Sequence, residues 1–245
     1  MAHNPGFFVK LRMIVTALLL LVVLTVLCLL TIIISIVTFG KFSTFLTHWV
    51  GYALGITALT TAGVRRKIKY HGEKPKDPAI FIINHSSTLD LFIMLTLFLP
   101  GIRYIAKREL MYNPFFLILV KFSGQIMINR KDSRGAITQL HQAYKRIRRD
   151  RLSLFFAPEG TRSETGEIAP FKSGAFQTAM DLGYPIVPIY IEGAFDLCPG
   201  KSLVTLPGTV TVHIYPPIDT SHWNKKNLRK HIDEVREMYL GWANR

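Results

Sequence analysis

From Met13 to Gly40 the chain carries no charged residue, reading MIVTALLLLVVLTVLCLLTIIISIVTFG. A helix over this stretch is about 40 Å long, enough to cross ~30 Å of hydrocarbon with some tilt. A cleaved signal peptide fits less well, because its apolar core is normally shorter and no small-x-small cleavage site follows. Phe42 to Val64 is a second uncharged stretch, interrupted by threonines, glycines and His48. It reads as a second membrane helix or an interfacial amphipathic one. Lys10 and Arg12 precede the first stretch, Arg65, Arg66, Lys67 and Lys69 follow the second, and only Lys41 lies between. Basic residues mark the cytoplasmic side. The simplest arrangement of residues 1–64 is therefore a membrane-embedded helical hairpin with both ends on that side.

Beyond this region the pattern changes. Apolar strand-like runs fall at Arg66–His71, Ala79–Ile83, Ile102–Ile105, Gln125–Ile128, Ser153–Phe156, Ile186–Glu192 and Val210–Tyr215. Helical periodicity falls at Thr88–Phe98, Glu109–Lys121, Arg134–Arg149, Ser173–Gly183 and Lys226–Ala243. Short β-rich runs alternating with helices predict one α/β domain over 65–245, with a mostly parallel central sheet flanked by helices. GEKPKD at Gly72–Asp77 is a turn within that domain, not a linker. No G-x-G-x-x-G or P-loop signature follows any of the strands.

Charge narrows the partners. The formal net charge is +14 and the isoelectric point is near 9.9. Such a balance suits an anionic membrane surface, a phosphorylated substrate or nucleic acid. The basic run Lys145, Arg146, Arg148, Arg149 and Arg151 lacks interleaved aromatics, and no nucleic-acid-binding signature appears, so a nucleic-acid partner is not expected. It suits a solvated or lipid-facing helix end. The 2 cysteines, Cys28 and Cys198, lie far apart in the sequence, and no metal-ligand spacing occurs. No metal is expected.

The segment AIFIINHSSTLDLF carries the first candidate chemistry. Asn84 and His85 leave a buried strand, and Ser86, Ser87 and Thr88 offer N-caps for the next helix. Ligands of open α/β sheets bind at the carboxyl ends of strands, where His85 stands. Asp90 follows in the first helical turns and can fold back onto the imidazole. Such a pair supports general-base catalysis, the carboxylate fixing the tautomer and stabilising the imidazolium. Taken alone, the string reads as readily as a helix cap with an acidic residue at the positive end of the dipole. No serine elbow or nucleophilic cysteine accompanies it. If the pair is catalytic, the attacking group is the substrate's own hydroxyl.

Cations gather at neighbouring strand ends. Arg162 lies in Phe156-Ala157-Pro158-Glu159-Gly160-Thr161-Arg162-Ser163 after one strand, with a glycine that lets backbone N–H groups approach a ligand. Lys107 and Arg108 follow another, and Arg130 closes Gly124–Arg130. An arginine there can hold a phosphate through two parallel hydrogen bonds. A Glu–Arg pair that merely braces a turn explains Glu159 and Arg162 equally simply.

Four segments in this order resemble the motifs of the glycerolipid acyltransferases. Asn84–Asp90 is similar to their N-H-x-x-x-x-D, Gly124–Arg130 to the second motif, Phe156–Ser163 to F-P-E-G-T-R-S, and Val187–Ile191 to V-P-x-x-I. The resemblance covers about Arg65 to Asp219. In size and in its paired N-terminal segments the chain looks most like the bacterial 1-acylglycerol-3-phosphate acyltransferases. Two departures stand out: Ala157 makes the third motif F-A-P-E-G, and Asn129 stands where the family often has aspartate.

The resemblance implies His85 as general base and Asp90 as its orienting partner. It implies Arg162, Lys107 and Arg130 at the substrate phosphate, Glu159, Gly160 and Thr161 shaping that pocket, and Pro188 in the acyl-binding wall. No cofactor is implied; acyl-CoA or acyl-acyl carrier protein serves as co-substrate. Membrane lipids and a lysophospholipid acceptor are the remaining expected partners. The expected place is the cytoplasmic face of a bacterial inner membrane. Glycerol-3-phosphate, another lysophospholipid or a lyso-aminolipid remain open as acceptors, as does a non-catalytic basic protein that only binds membranes.

Overall fold

A computed structural model describes residues 6–39, 41–107, 112–128, 133–200, 202 and 204–244. Helix α1 spans Phe7–Val37 and is the one helix among the described residues long and apolar enough to cross a membrane. Most of its apolar side chains face outward, Leu18 and Ile36 among them. Cys28, Thr31 and Ser35 are its buried positions, and the Cys28 thiol donates to the Phe115 carbonyl.

The second expected membrane segment behaves differently. Helix α2, Ser43–Thr61, buries Leu46, Gly51, Gly55 and Leu59 and packs against α3, Leu89–Leu95. A Cβ on Gly55 would stand 2.6 Å from the Phe92 carbonyl oxygen, and one on Gly51 would stand 3.1 Å from Leu95 Cδ2. The two glycines therefore let two backbones approach. The start of α2 is tied to the sheet by Arg103, only 1% exposed, whose guanidinium donates to Thr44 Oγ1 at 2.9 Å and to the Ile102 carbonyl at 2.9 Å. Burial, then the nearby Arg146, lower the Arg103 pKa to about 10. α2 thus has a domain-facing side that its composition conceals.

Among the described residues the sheet has seven strands: β1 (Val64–Tyr70), β2 (Ile80–Ile83), β3 (Ile102–Lys107), β4 (Ile126–Ile128), β5 (Ser153–Phe156), β6 (Ile186–Glu192) and β7 (Gly208–Ile214). Their order is β1-β7-β6-β2-β5-β3-β4. β2 to β6 run parallel, while β7 is antiparallel to β6 and carries β1 parallel to itself. The expected mostly parallel α/β sheet is the one observed, and the C-terminal ends of five strands share one edge.

β2 is buried at all four positions, which explains its unbroken apolar run. Ile80 and Ile82 face a layer that includes α5 (Ser133–Arg149), α6 (Gly174–Leu182) and α8 (Leu228–Ala243). Phe81 and Ile83 face α2 and α3. Two further helices among the described residues are α4 (Pro114–Phe122) and the short α7 (Ala194–Leu197). Residues 109–111, where the periodicity starts this helix, lie outside the described residues. Pro114 opens the described helix, and the Asn113 side chain accepts from the Phe115 N–H at 3.0 Å. α3 stops short of Phe98, which adopts φ 48°, a left-handed conformation that no continuing helix allows.

Candidate active site

β2 does not end cleanly at Ile83. The buried Asn84 side chain donates to the Ile191 carbonyl at 2.9 Å and accepts from its N–H at 2.7 Å. One side-chain amide thus continues the β2–β6 ladder while the main chain turns away. His85 is held at both backbone groups by the loop after β5. Its N–H donates to Glu159 Oε1 at 2.6 Å, and its carbonyl accepts from the Ser163 N–H at 2.8 Å.

Asp90 sits in the first turn of α3 and is fully buried. Its Oδ2 accepts three hydrogen bonds: from His85 Nδ1 at 2.8 Å and from the N–H groups of Ser86 and Ser87 at 2.9 Å each. The chain folds back as expected, and the carboxylate aims the ring. With Nδ1 engaged, Nε2 is the nitrogen left to react. The His85 side chain is 24% exposed against 1% for Asp90, so the imidazole opens outward from a dry support. Thr88, the N-cap residue of α3, makes no side-chain cap, but the Ser87 hydroxyl accepts from the Leu89 N–H at 3.1 Å. The Ser87 hydroxyl donates to the Cys198 carbonyl at 2.6 Å and the Thr88 hydroxyl to the Ser202 carbonyl at 2.9 Å, fastening the motif to the loop after α7.

Glu159 is 3% exposed. Its second oxygen accepts from the Ala169 N–H at 3.0 Å, so both oxygens are engaged by backbone N–H groups. Burial pushes its carboxyl up, opposed by those two N–H groups and by the neighbouring His85. These contacts tie the loop after β5 to the start of the His85 turn. A Glu159→Gln variant is expected to lose about 1.5–3 kcal/mol of stability, because the amide N–H₂ must face one of the two backbone donors. Denaturant midpoints of the two proteins measure this.

Gly160 has φ 77° and turns the chain, its N–H donating to the Ala157 carbonyl at 3.0 Å. Lys172 Nζ stands 2.6 Å from where a Cβ on Gly160 would be, so the turn carries a second cation. Thr161 is exposed. Arg162 is half-buried, and its Nη1 donates to Thr88 Oγ1 at 2.7 Å. The guanidinium therefore touches the residue that leads from His85 into α3.

Lys107 ends β3 opposite Ile128, at the same sheet edge. Arg130, with Arg108 and Asn129, lies outside the described residues. Pro188 is buried in β6 opposite Ile82. By strand alternation it shares the face of Ile186, which packs with α6 and α8, and so lies across the sheet from α3. His85, Asp90, Glu159, Gly160 and Arg162 are brought together; Pro188 stands apart from them.

Sequence reasoning passed over three contributors. Asn84 was part of a motif with no assigned task. Lys172 follows Phe171 in an ordinary-looking stretch. Tyr239, in α8, is fully buried; its hydroxyl donates to the Ile82 carbonyl at 2.8 Å and accepts from the Ile189 N–H at 3.1 Å. It bridges β2 and β6 just behind the departure of His85, and burial raises its pKa well above the usual phenol value. Its local sequence holds no sign of that role.

Comparison with known proteins gives concordant matches. Residues 67–192 match the family model described as Acyltransferase. The chain is 35% identical to the 1-acyl-sn-glycerol-3-phosphate acyltransferase of Saccharomyces cerevisiae over 71% of this chain and 58% of that protein. It is 32% identical to that of Cocos nucifera over 66% of this chain and 53% of that protein. The match thus spans little more than half of each. For the Escherichia coli enzyme of the same name the identity is 30%, over 66% of this chain and 68% of that protein. The crystal structure of the 1-acyl-sn-glycerophosphate (LPA) acyltransferase, PlsC, from Thermotoga maritima superposes with a TM-score of 0.65. It covers 96% of this chain and 98% of that one at 24% identity, a likeness of fold.

Proposed function

The chain belongs to the acyltransferase family, and on that premise we propose that it transfers a fatty acyl group from a thioester to the free hydroxyl of lysophosphatidic acid. The single observation that supports this most is the Nδ1–Asp90 contact at 2.8 Å, which leaves Nε2 of a partly exposed His85 beside the Arg162 loop. Nε2 takes the proton of the acceptor hydroxyl as its oxygen attacks the thioester carbonyl. The tetrahedral oxyanion collapses, the C–S bond breaks, and the thiolate leaves with the proton from the imidazolium. Phosphatidic acid and free thiol are the products, and no covalent acyl-enzyme is needed. Asp90 and Glu159 are two carboxylates close to the ring, and both favour its transient positive charge.

Arg162 and Lys107 hold the acceptor phosphate in this reading, with Lys172 beside them; Arg130 from the second motif joins them. Acyl-CoA and acyl-acyl carrier protein are the candidate donors. α1 lies in lipid with α2 against it as a hairpin, and the basic flanks hold the domain at the cytoplasmic face.

The proposal is tested with purified protein, several acceptors and both donors. Lysophosphatidic acid is the expected acceptor. Binding to membranes without transfer to any acceptor would assign the chain to a non-catalytic role. An Arg162→Ala variant is expected to lose about 10–100-fold in kcat/KM for acceptors with a terminal phosphate, the loss of a hydrogen bond to a charged group. It should lose far less with an uncharged acceptor, and initial-rate kinetics on the two acceptors separate the outcomes.

A further inference from the structure

A cleft of about 400 Å³ opens between α2, β1 and the connection from α3 to β3. It lies by the edge strand β1, three strand spacings from β2 in the sheet order, or roughly 14 Å across the sheet. It is therefore separate from the His85 site.

One side of the cleft is aromatic. Trp49, Tyr52 and Phe98 form a closed trio, with ring centroids 5.3 Å apart for Trp49–Phe98, 5.0 Å for Tyr52–Phe98 and 6.5 Å for Trp49–Tyr52. Phe98 joins this trio from a backbone at φ 48°, a conformation that side-chain-bearing residues rarely adopt and that persists only where surroundings enforce it. The other side is cationic. Arg66 places its guanidinium carbon 5.9 Å from the Tyr52 ring centre, and its Nε is buried without a hydrogen-bond partner. Lys74 is the second cation, and none of the residues lining the cleft is acidic. Among the described residues neither cation has a carboxylate within ion-pair distance.

The surroundings favour a lipid. Trp49 is 53% exposed, and Phe42 and Phe45 continue its apolar side along α2 at 52% and 48%. α2 packs beside the apolar α1. Amphipathic aromatics with nearby cations are the side chains found where hydrocarbon meets head groups. A soluble phosphate would use the two cations and leave three ring faces idle.

We propose that this cleft binds an anionic phospholipid, its phosphate on Arg66 and Lys74 and its glycerol and first methylenes against Trp49, Tyr52 and Phe98. The site is distinct from the acceptor site. It orients the domain on the membrane and retains it on anionic lipid, whatever reaction is catalysed.

The test uses the full chain in phosphatidylcholine vesicles that contain phosphatidylglycerol, with bromine on the acyl chains of one lipid or the other. Trp49 fluorescence is taken as the difference between the protein and its Trp49→Phe variant. Brominated phosphatidylglycerol should quench this signal selectively over brominated phosphatidylcholine. Each basic residue near an anionic surface contributes roughly fivefold to partitioning, so the double variant Arg66→Gln with Lys74→Gln should lose more than about tenfold in selectivity. It should still float with the vesicles through α1. A charge-matched variant away from the cleft and the basic flanks, Lys225→Gln with Lys226→Gln, should keep the selectivity. Equal quenching by the two lipids, selectivity that survives in the Arg66/Lys74 variant, or equal loss in both double variants would overturn the proposal. So would relief of quenching by inorganic phosphate, which would assign the cleft to a soluble phosphate compound. Because the readout is lipid contact and not turnover, failure here leaves the acyl-transfer reading untouched, and the reverse holds.

Discussion

His85→Ala is expected to lower acyl transfer by about 10²–10⁴-fold, the range that a positioned general base supplies. In the proposed mechanism the substitution removes the nitrogen that takes the acceptor's proton. It leaves the architecture in place, because His85 is tied to Glu159 and Ser163 through its backbone. Asp90 keeps the N–H groups of Ser86 and Ser87 as partners when the ring is gone. The side chain is partly exposed, so water can fill the space without a dry cavity forming. The variant should therefore fold, bind membranes and still bind acceptor, with the loss in kcat. Rates with saturating donor, beside circular dichroism and vesicle flotation, check each part. Residual transfer reflects positioning and electrostatic stabilisation by the remaining groups.

Asp90→Asn is expected to produce a loss of comparable size by a different route. In a Ser-His-Asp triad the same change costs about 10⁴-fold in kcat with the geometry intact. Here Asp90 Oδ2 accepts from Nδ1 and two backbone donors, while Oδ1 is buried with no hydrogen-bond partner. An amide can present its oxygen to those three donors only by putting N–H₂ in the unpartnered position, leaving two buried donors unsatisfied. Flipped, it sets N–H₂ against the donors and forces His85 into the wrong tautomer. In either orientation the charge that stabilises the imidazolium is lost. The expected signature is a fall in kcat with little change in KM. An unchanged kcat would mean that Asp90 serves only as a brace for residues 86 and 87.

Much of the candidate catalytic edge was legible because it is local. The β2 run is apolar at every position because both faces are covered, and the His85–Asp90 spacing works because the turn between them brings carboxylate to ring. Arg162 was legible as a cation in a glycine turn at the end of a strand. What escaped was long-range. Glu159 was expected to shape the pocket or to brace a turn with Arg162, but its partners are the N–H groups of His85 and Ala169, set by how two loops meet. Asn84 needs β6, and Tyr239 reaches β2 from the C-terminal helix. α2 shows the limit of composition: its glycines and threonines looked like a diluted membrane span, while Gly55 is small because the Phe92 carbonyl lies against it. The end of α3 was placed too late because an apolar Phe98 continues the periodicity while its backbone leaves the helix.

The central claim concerns the state of one ring, and nitrogen-15 spectroscopy of histidine-labelled protein reads it directly, with His85→Ala supplying the assignment. The account predicts that the neutral His85 ring carries its proton on Nδ1, hydrogen-bonded to Asp90, with Nε2 bare and ready to accept. A ring whose proton sits on Nε2, or whose Nδ1 shows no hydrogen bond, would contradict it.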